Sequence, residues 1–390
     1  MTKKMSKNSD KLLKTRFRAI MILHALGDTI GFKNGDWEFN YNTNREDFDY
    51  VNELIYEFIE LGGVNGIDLK NWYVSDDTFF HIVVADTLLY YNEKFGLDAE
   101  LIDYYKYRLG ITALRMQEEE YGKYIDDEGK NVHINRYIGL TTINSIDKFT
   151  DDYDARFAPY DETGGGNGAA MRTLAIGMCF YGEENRDILI KFSVITSQIT
   201  HNNAFGYLAG FNAALFIALA LENVPIKEWP YILIKYLKSN ELKSFLSLDN
   251  LDQIYDHGQY IRYWQKFIDT KFDKNGEALK IRANTNPVHR MRYYYNNFFK
   301  DDISKQIGAS GYLCMIMAYD ALLDCNGNWE KLIVYAILHI GDSDTIGAVA
   351  GGLYGAVYGF GDVPKNMTKY IERKDELEKL ASKLFKKYKK

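Results

Sequence analysis

Ser75 to Tyr91 reads SDDTFFHIVVADTLLYY, and its first four residues set a question that the rest of the chain answers. Phe79, Ile82, Val83 and Asp86-Thr87 step along at helical spacing, so the stretch is a helix with Ser75 as its N-cap. Two adjacent carboxylates at such a start are held most easily by the positive end of the helix dipole together with a cation. A second acidic tetrad, Asp342-Ser343-Asp344-Thr345, opens the helix IGAVAGGLYGAVYGF near the other end of the chain. Both tetrads offer carboxylates and hydroxyls with no Cys or His beside them, a donor set suited to Mg²⁺, Ca²⁺ or Mn²⁺ rather than zinc. The alternative is ordinary capping by Ser75 and Asp342.

The 390 residues are 46% hydrophobic, enough for a large core, and helical periodicity recurs along the chain. It carries no fixed-period repeat and no Pro/Ser/Gly linker, and only five prolines. The expected fold is therefore all-α, one compact multi-helix domain over residues 16–390, after a flexible N-terminal extension over 1–15. A formal net charge of -7 gives no footprint for nucleic acid or anionic lipid, and the basic tail Lys386, Lys387, Lys389 and Lys390 reads as a frayed terminus. Three cysteines, Cys179, Cys314 and Cys325, form neither a disulfide framework nor a zinc spacing, so a reducing, cytoplasmic location is expected. The N-terminus lacks an apolar signal core, and the apolar runs 207–221 and 346–360 read as buried helices rather than membrane spans.

Helices are expected over 16–26, 47–61, 99–121, 136–149 (capped by Thr141 or Thr142), 187–199, 201–222, 229–245, 329–339 and 372–389, with another opening at Ser310. Gly27 and Gly31 mark either a helix end or a close backbone approach. Gly347, Gly351, Gly355 and Gly359 recur every four residues, leaving a bare ridge against which another helix packs. Residues 250–305, rich in tyrosine and charge, are the least informative. The loop Asp126 to Lys130 lacks the alternating oxygens of a calcium loop. His201, at a helix start, reads as a capping or packing residue rather than a ligand.

The stretch Thr163 to Arg172, TGGGNGAAMR, is a glycine loop feeding a helix, where backbone amides are open to a phosphate. No strand precedes it and no Lys follows its last glycine, which excludes the dinucleotide fingerprint and the P-loop. A tight turn or close helix crossing would use glycine equally. Two acidic tetrads together with such a loop favour a metal-assisted reaction on a phosphorylated or nucleotide-like substrate.

GDTIGFKNGDWEF (Gly27 to Phe39), VSDDT (Val74 to Thr78), GLTT (Gly139 to Thr142), GGGNGAAMR (Gly164 to Arg172), ITHNNAFGYLAG (Ile199 to Gly210), SGY with AYDALL (Ser310 to Leu323) and GDSDTIGAVAGGLYG (Gly341 to Gly355) follow one another in an order that resembles the ADP-ribosylglycohydrolases, most of all the ADP-ribosylarginine hydrolases. The resemblance implies an all-helical fold and two Mg²⁺ ions, replaceable by Mn²⁺, on Ser75, Asp76, Asp77, Asp342, Asp344 and Thr345. It implies an ADP-ribose site at Gly165, Gly166, Asn167, Gly168, Ala169, Met171, Ser310, Gly311 and Tyr312, with Glu38 in the place of a mobile glutamate that approaches the metals. Asp76 or Asp77 would serve as general base, with Glu38 as the third catalytic candidate. The expected reaction is hydrolysis of the N-glycosidic bond between ADP-ribose and arginine on a modified protein, by a monomer that binds neither nucleic acid nor membrane. Arginine hydrolases of this kind usually carry an acidic residue just after the Ser-Gly pair, where this chain has Tyr312-Leu313, as the bacterial branch does. Alternatives are hydrolysis of serine-linked or polymeric ADP-ribose, and a non-catalytic ADP-ribose-binding relative; the DDxxD pattern of helical prenyl-diphosphate enzymes is absent.

Overall fold

The computed structural model describes residues 2–38, 49–125, 129–151, 158–246, 250–279, 286–299 and 306–389. The long helices are α1 (Thr2–Phe32), α2 (Asp49–Glu60), α3 (Asp76–Tyr90), α4 (Ala99–Gln117), α5 (Leu140–Asp151), α6 (Leu174–Cys179), α7 (Arg186–Gln198), α8 (Ala204–Leu221), α9 (Trp229–Leu237), α10 (Leu251–Lys271), α11 (Pro287–Tyr294), α12 (Gly311–Cys325), α13 (Trp329–Ile337), α14 (Ser343–Tyr358) and α15 (Lys374–Tyr388). The expected all-α class holds, with one small addition: Lys123–Ile125 and Asn131–His133 pair as an antiparallel hairpin, in register Lys123 to His133. Asp126 to Glu128, within the acidic stretch set aside above, lie outside the described residues, as do Phe39 and residues 152–157.

The centre of the molecule is α8, which touches α6, α7, α10, α12 and α14. It is apolar on every side, and 94% of it is buried inside the fold although its length and hydropathy would suffice to cross a membrane. Around it, α1 and α14 lie against each other closely enough to settle the role of the glycines. A Cβ on Gly27 would stand 1.9 Å from the Gly347 carbonyl oxygen, one on Gly31 2.2 Å from that of Ser343, and one on Gly351 2.1 Å from that of Leu23. Gly27 and Gly31 thus mark a backbone approach inside α1, not its end. Gly359, expected on the same ridge, instead caps the C-terminus of α14 at φ +66°.

The boundary expected at residue 15/16 falls inside α1, which is continuous from Thr2, although Lys11 and Leu12 are exposed and the buried pattern begins at Phe17. Three other helices are shorter than periodicity implied. The 99–121 stretch breaks at Glu118, which is extended, and 229–245 breaks where the Ser239 side chain caps a new turn over Asn240–Lys243. In 136–149 the helix starts at Leu140, so Thr141 and Thr142 lie in its first turn rather than capping it. Arg136 is drawn out of the helix by contacts described below.

Candidate active site

At the start of α3 the Ser75 side chain accepts the Asp77 N–H at 3.2 Å, as a cap should. The turn is fixed from below by Asp28 of α1, whose carboxylate accepts the Ser75 N–H at 2.9 Å and the Thr78 N–H and hydroxyl at 3.1 and 2.6 Å. Because α1 carries Asp28 and packs on α14, the second tetrad arrives at the same place. There Asp342 caps α14 through the Thr345 N–H, and the Thr345 hydroxyl reaches Asp77 at 3.3 Å, joining residues 268 apart in the chain. Ser343 faces away from this centre and donates to the Gly31 carbonyl at 2.8 Å.

Asp28, Glu38, Asp76, Asp77, Asp342 and Asp344 are all buried, and among the described residues none forms an ion pair with Lys or Arg. The consequence is electrostatic. Burial first, then the charge of Asp344 and its neighbours, pushes Asp76, Asp77 and Glu38 well above the ordinary carboxylate range. Burial and Asp344 lift Asp28 to about 7. Burial raises Asp342 and Asp344 as well, the charge of Asp342 adds to the rise at Asp344, and a hydrogen bond between the two holds Asp344 higher and Asp342 lower.

Whether these residues fit divalent cations can be judged from their unsatisfied atoms. Asp77 Oδ2 and Glu38 Oε2 are buried without a hydrogen-bond partner among the described residues, and a buried carboxylate oxygen left so is costly unless a proton or a cation covers it. The donors are hard oxygens from two facing helix starts. Among the described residues no group of three or more His, Cys, Asp or Glu is placed to hold a metal ion by itself, so the Ser75 and Thr345 hydroxyls and water would have to share the coordination, as suits Mg²⁺, which keeps several waters. The residues fit.

The glycine loop lies beside this carboxylate cage. The Asn167 side chain donates to Asp342 Oδ2 at 2.8 Å and to the Gly308 carbonyl at 2.9 Å, so the loop and the second tetrad are one unit. Gly166 and Ser310 form an isolated antiparallel bridge, in which the Asn167 N–H donates to Ala309 and the Gly311 N–H to Gly165, each at 3.0 Å. That pairing uses the Asn167 amide but leaves the Gly165 and Gly166 N–H groups without a partner in the described residues. A Cβ on Gly168 would stand 2.7 Å from the His201 ring, so only glycine fits there. His201 lines the cleft beside Gly168; burial and Arg172 push it down to about 3, and it bonds Thr200 through Nδ1 at 2.8 Å.

Glu38, Asp76, Asp77, Gly165, Gly166, Asn167, Gly168, Met171, Ser310, Tyr312, Asp342, Asp344 and Thr345 share the lining of one cleft of about 1270 Å³. Ser75, Ala169 and Gly311 do not line it. Ser75 is buried under the helix start, Ala169 packs at Gly210 of α8, and a Cβ on Gly311 would collide with the Phe205 carbonyl at 2.3 Å. Tyr312 is fixed rather than free, with its hydroxyl on the Phe298 carbonyl at 2.8 Å and its ring stacked on Tyr263 at 4.0 Å. The sequence reading missed Asp28 as a site residue and missed the α10 wall of Asp252, Tyr255, Asp256, Gln259 and Tyr263. An aspartate inside an otherwise apolar helix was a legible signal for Asp28; the α10 wall left none beyond an i, i+3, i+4, i+7 spacing.

An all-helical fold that aims two carboxylate-bearing helix starts and a glycine loop into one cleft defines a class of hydrolase, the ADP-ribosylglycohydrolases. The profile of that family matches residues 9–390, and the chain belongs to it. It is similar to protein L444 of Acanthamoeba polyphaga mimivirus, an ADP-ribosyl glycohydrolase by name: 40% identical over 369 residues, 92% of this chain but 66% of that protein's length. It is also similar to ADP-ribosylhydrolase ARH1 of Dictyostelium discoideum, 30% identical over 95% of this chain and 94% of the relative, and to ADP-ribosylhydrolase ARH3 of Gallus gallus, 24% identical over 65% and 68%. A solved structure of an ADP-ribosylglycohydrolase-related protein complex superposes with a TM-score of 0.57 at 19% identity, covering 96% of this chain and 99% of that one, which supports the fold.

Proposed function

We propose that the protein hydrolyses the N-glycosidic bond between ADP-ribose and an arginine side chain of a modified protein, with two divalent cations, Mg²⁺ or Mn²⁺, held by Ser75, Asp76, Asp77, Asp342, Asp344 and Thr345. The observation that carries this reading is the buried carboxylate cage without countercharge, fused through Asn167 to a glycine loop with free amides. Bound cations would supply Lewis-acid charge to ribose hydroxyls and water. The chain's own residues do the rest. Gly165 and Gly166 offer N–H groups to the diphosphate, and the bridge to Ser310 holds the loop open for it. Asp76 or Asp77 accepts a proton from the attacking water as the bond from C1″ of the ribose to the guanidine nitrogen loosens through an oxocarbenium-like state. A guanidine that keeps its proton departs as a neutral base, so no acid is needed on that side.

The motif resemblance to the ADP-ribosylarginine hydrolases supports arginine; among the relatives, ARH1 is matched over nearly the whole length of both chains and ARH3 over about two thirds. One observation favours serine as a second reading: Glu38 lines the same cleft as the cage, and burial and the neighbouring carboxylates raise it above the ordinary range, which places it to act as the acid that a serine alkoxide would need on departure. Release of ADP-ribose from arginine-linked and serine-linked peptides, with Mg²⁺ and with chelator, tests the assignment. Faster release from the arginine peptide, dependent on metal, is expected. Equal or faster release from serine, abolished in Glu38→Gln, would replace arginine by serine and leave the glycohydrolase reading standing.

A further inference from the structure

Val74, two residues before the acidic pair of α3, is held by an ion pair outside every motif quoted above for the acidic tetrads. Arg136 and Glu372 meet through two hydrogen bonds, Nη1 to Oε2 at 2.8 Å and Nη2 to Oε1 at 3.0 Å, the bidentate geometry that fixes orientation as well as distance. The same Nη1 donates to the Val74 carbonyl, while Glu372 Oε2 accepts the Val74 N–H at 3.1 Å, so both polar backbone groups of Val74 are bound by one pair. The main-chain carbonyl of Arg136 then accepts the Asp76 N–H at 3.0 Å, and the Gly139 amide bonds the Asp76 carboxylate.

Arg136 itself is immobilised. Its guanidinium is 3% exposed, donates to the Tyr121 carbonyl from Nε at 2.9 Å and Nη2 at 2.7 Å, and lies over the ring of Phe79 at 5.2 Å. Tyr137, the next residue, stands in the left-handed region at φ +52°, an unfavourable place for a tyrosine that the surrounding bonds must offset. Neither the Arg136 guanidinium nor the Glu372 carboxylate bonds a cage carboxylate among the described residues. What they control is where the backbone of residues 74–76 stands relative to Asp342 and Asp344.

We infer that the Arg136–Glu372 pair is a positioning device for the cation site, setting the separation of the two carboxylate helix starts and through it the affinity for a divalent cation. The inference rests on the reading of the cage as a cation site. Partners of this kind, one shell out from metal ligands, change affinity by about 10–100-fold when removed. Glu372→Gln keeps the shape of the side chain and its acceptor for Val74 but removes the charge; Arg136→Lys keeps the charge and removes the fork.

The test is Mn²⁺ titration of the full-length protein, followed by the spectroscopic signal of free Mn²⁺, beside the melting temperature of each variant. Wild type is expected to bind tightly, Glu372→Gln and Arg136→Lys about ten-fold more weakly or worse, and Glu372→Asp to recover part of the loss. The Mn²⁺ concentration for half-maximal ADP-ribose release should rise by the same factor, with KM for the modified protein little changed at saturating metal. Variants that melt earlier but bind Mn²⁺ as wild type does would make the pair merely structural and overturn the inference. A wild-type chain that binds no Mn²⁺ would instead sink the reading of the cage, so the two failures are distinguishable. Should Glu372→Gln not fold, the comparison of Arg136→Lys with wild type decides alone.

Discussion

The molecule contains two dense clusters of buried charge, and they are built on opposite principles. At one, Lys271 of α10 and Arg290 of α11 meet Asp320 and Asp324 of α12 in four contacts of 2.6 Å, with every side chain 8% exposed or less and the Tyr294 hydroxyl donating to Asp320. Two cations face two anions. At the other, Asp28, Glu38, Asp76, Asp77, Asp342 and Asp344 converge with no cationic side chain bonded to them among the described residues. The first cluster has its charges paired within the chain, although Arg290 Nε and Asp320 Oδ1 lack a hydrogen bond among the described residues, and it ties three helices together; the second, on the proposed reading, is balanced by bound cations. Burial of charge is costly in both, and the proposed reading assigns that cost at the cage to bound cations.

Removing one member separates the two most sharply. Asp77→Ala or Asp344→Ala should lower the rate of ADP-ribose release by about 10³-fold or more, the loss expected when a base or charge-stabilising group goes, with the metal-free fold intact or slightly more stable. Asp320→Ala should do the reverse. It leaves Arg290 and Lys271 facing one carboxylate fewer and should cost about 3–5 kcal/mol of stability, read by denaturant unfolding. If Asp77→Ala fails to fold, simple capping is the better account of the tetrads.

Metal should act on one cluster alone. On the proposed reading Mg²⁺ binds only the folded cage, so saturating it should stabilise the fold by about 3–4 kcal/mol at a hundred to a thousand times the dissociation constant and raise the melting temperature. Chelator should remove that gain in wild type and have nothing to remove in Asp344→Ala.

The pH dependence follows with opposite signs. Asp28, lifted from 3.8 to about 7 by burial and Asp344, contributes stability that is full below its unfolded value and is lost as pH rises through about 7. The other cage carboxylates are raised too, so metal-free protein should melt at lower temperature as pH climbs from about 5 to 8. Asp320 is buried yet lowered by Arg290 and Lys271, so its contribution is present above the unfolded carboxylate value and is lost only as pH falls below it. Asp324 in the same network is raised, by burial and Asp320, which blunts the network's net slope. Melting curves against pH with chelator should show the cage's slope, and excess Mg²⁺ should flatten it.

The smallest effect belongs to Ser343. Its hydroxyl reaches the Gly31 carbonyl rather than the cleft, so Ser343→Ala should cost about 1 kcal/mol and leave kcat nearly unchanged.

What the sequence revealed divides along the same line. The tetrads were legible because carboxylates and hydroxyls cluster at two helix starts in one chain, and close packing of another helix on α14 because Gly347, Gly351 and Gly355 recur at one helical spacing; that the partner is α1 was not. The balanced network was invisible: Lys271, Arg290, Asp320 and Asp324 look like ordinary surface charges until three helices bury them. Asp28 was quoted within a motif but not assigned, since its hydrogen bonds to Ser75 and Thr78 cross 47 and 50 residues. Ala169 and Gly311 illustrate the converse, because a motif position next to ligand-facing residues can face the core instead.

The central claim is that the cage is a cation site, and calorimetric titration of metal-free protein with Mg²⁺, run beside the release assay, addresses it directly. Two ions bound per chain, at least one lost in Asp344→Asn, and no release in excess chelator are predicted. A chain that binds no Mg²⁺ and releases ADP-ribose at full rate in chelator would contradict it.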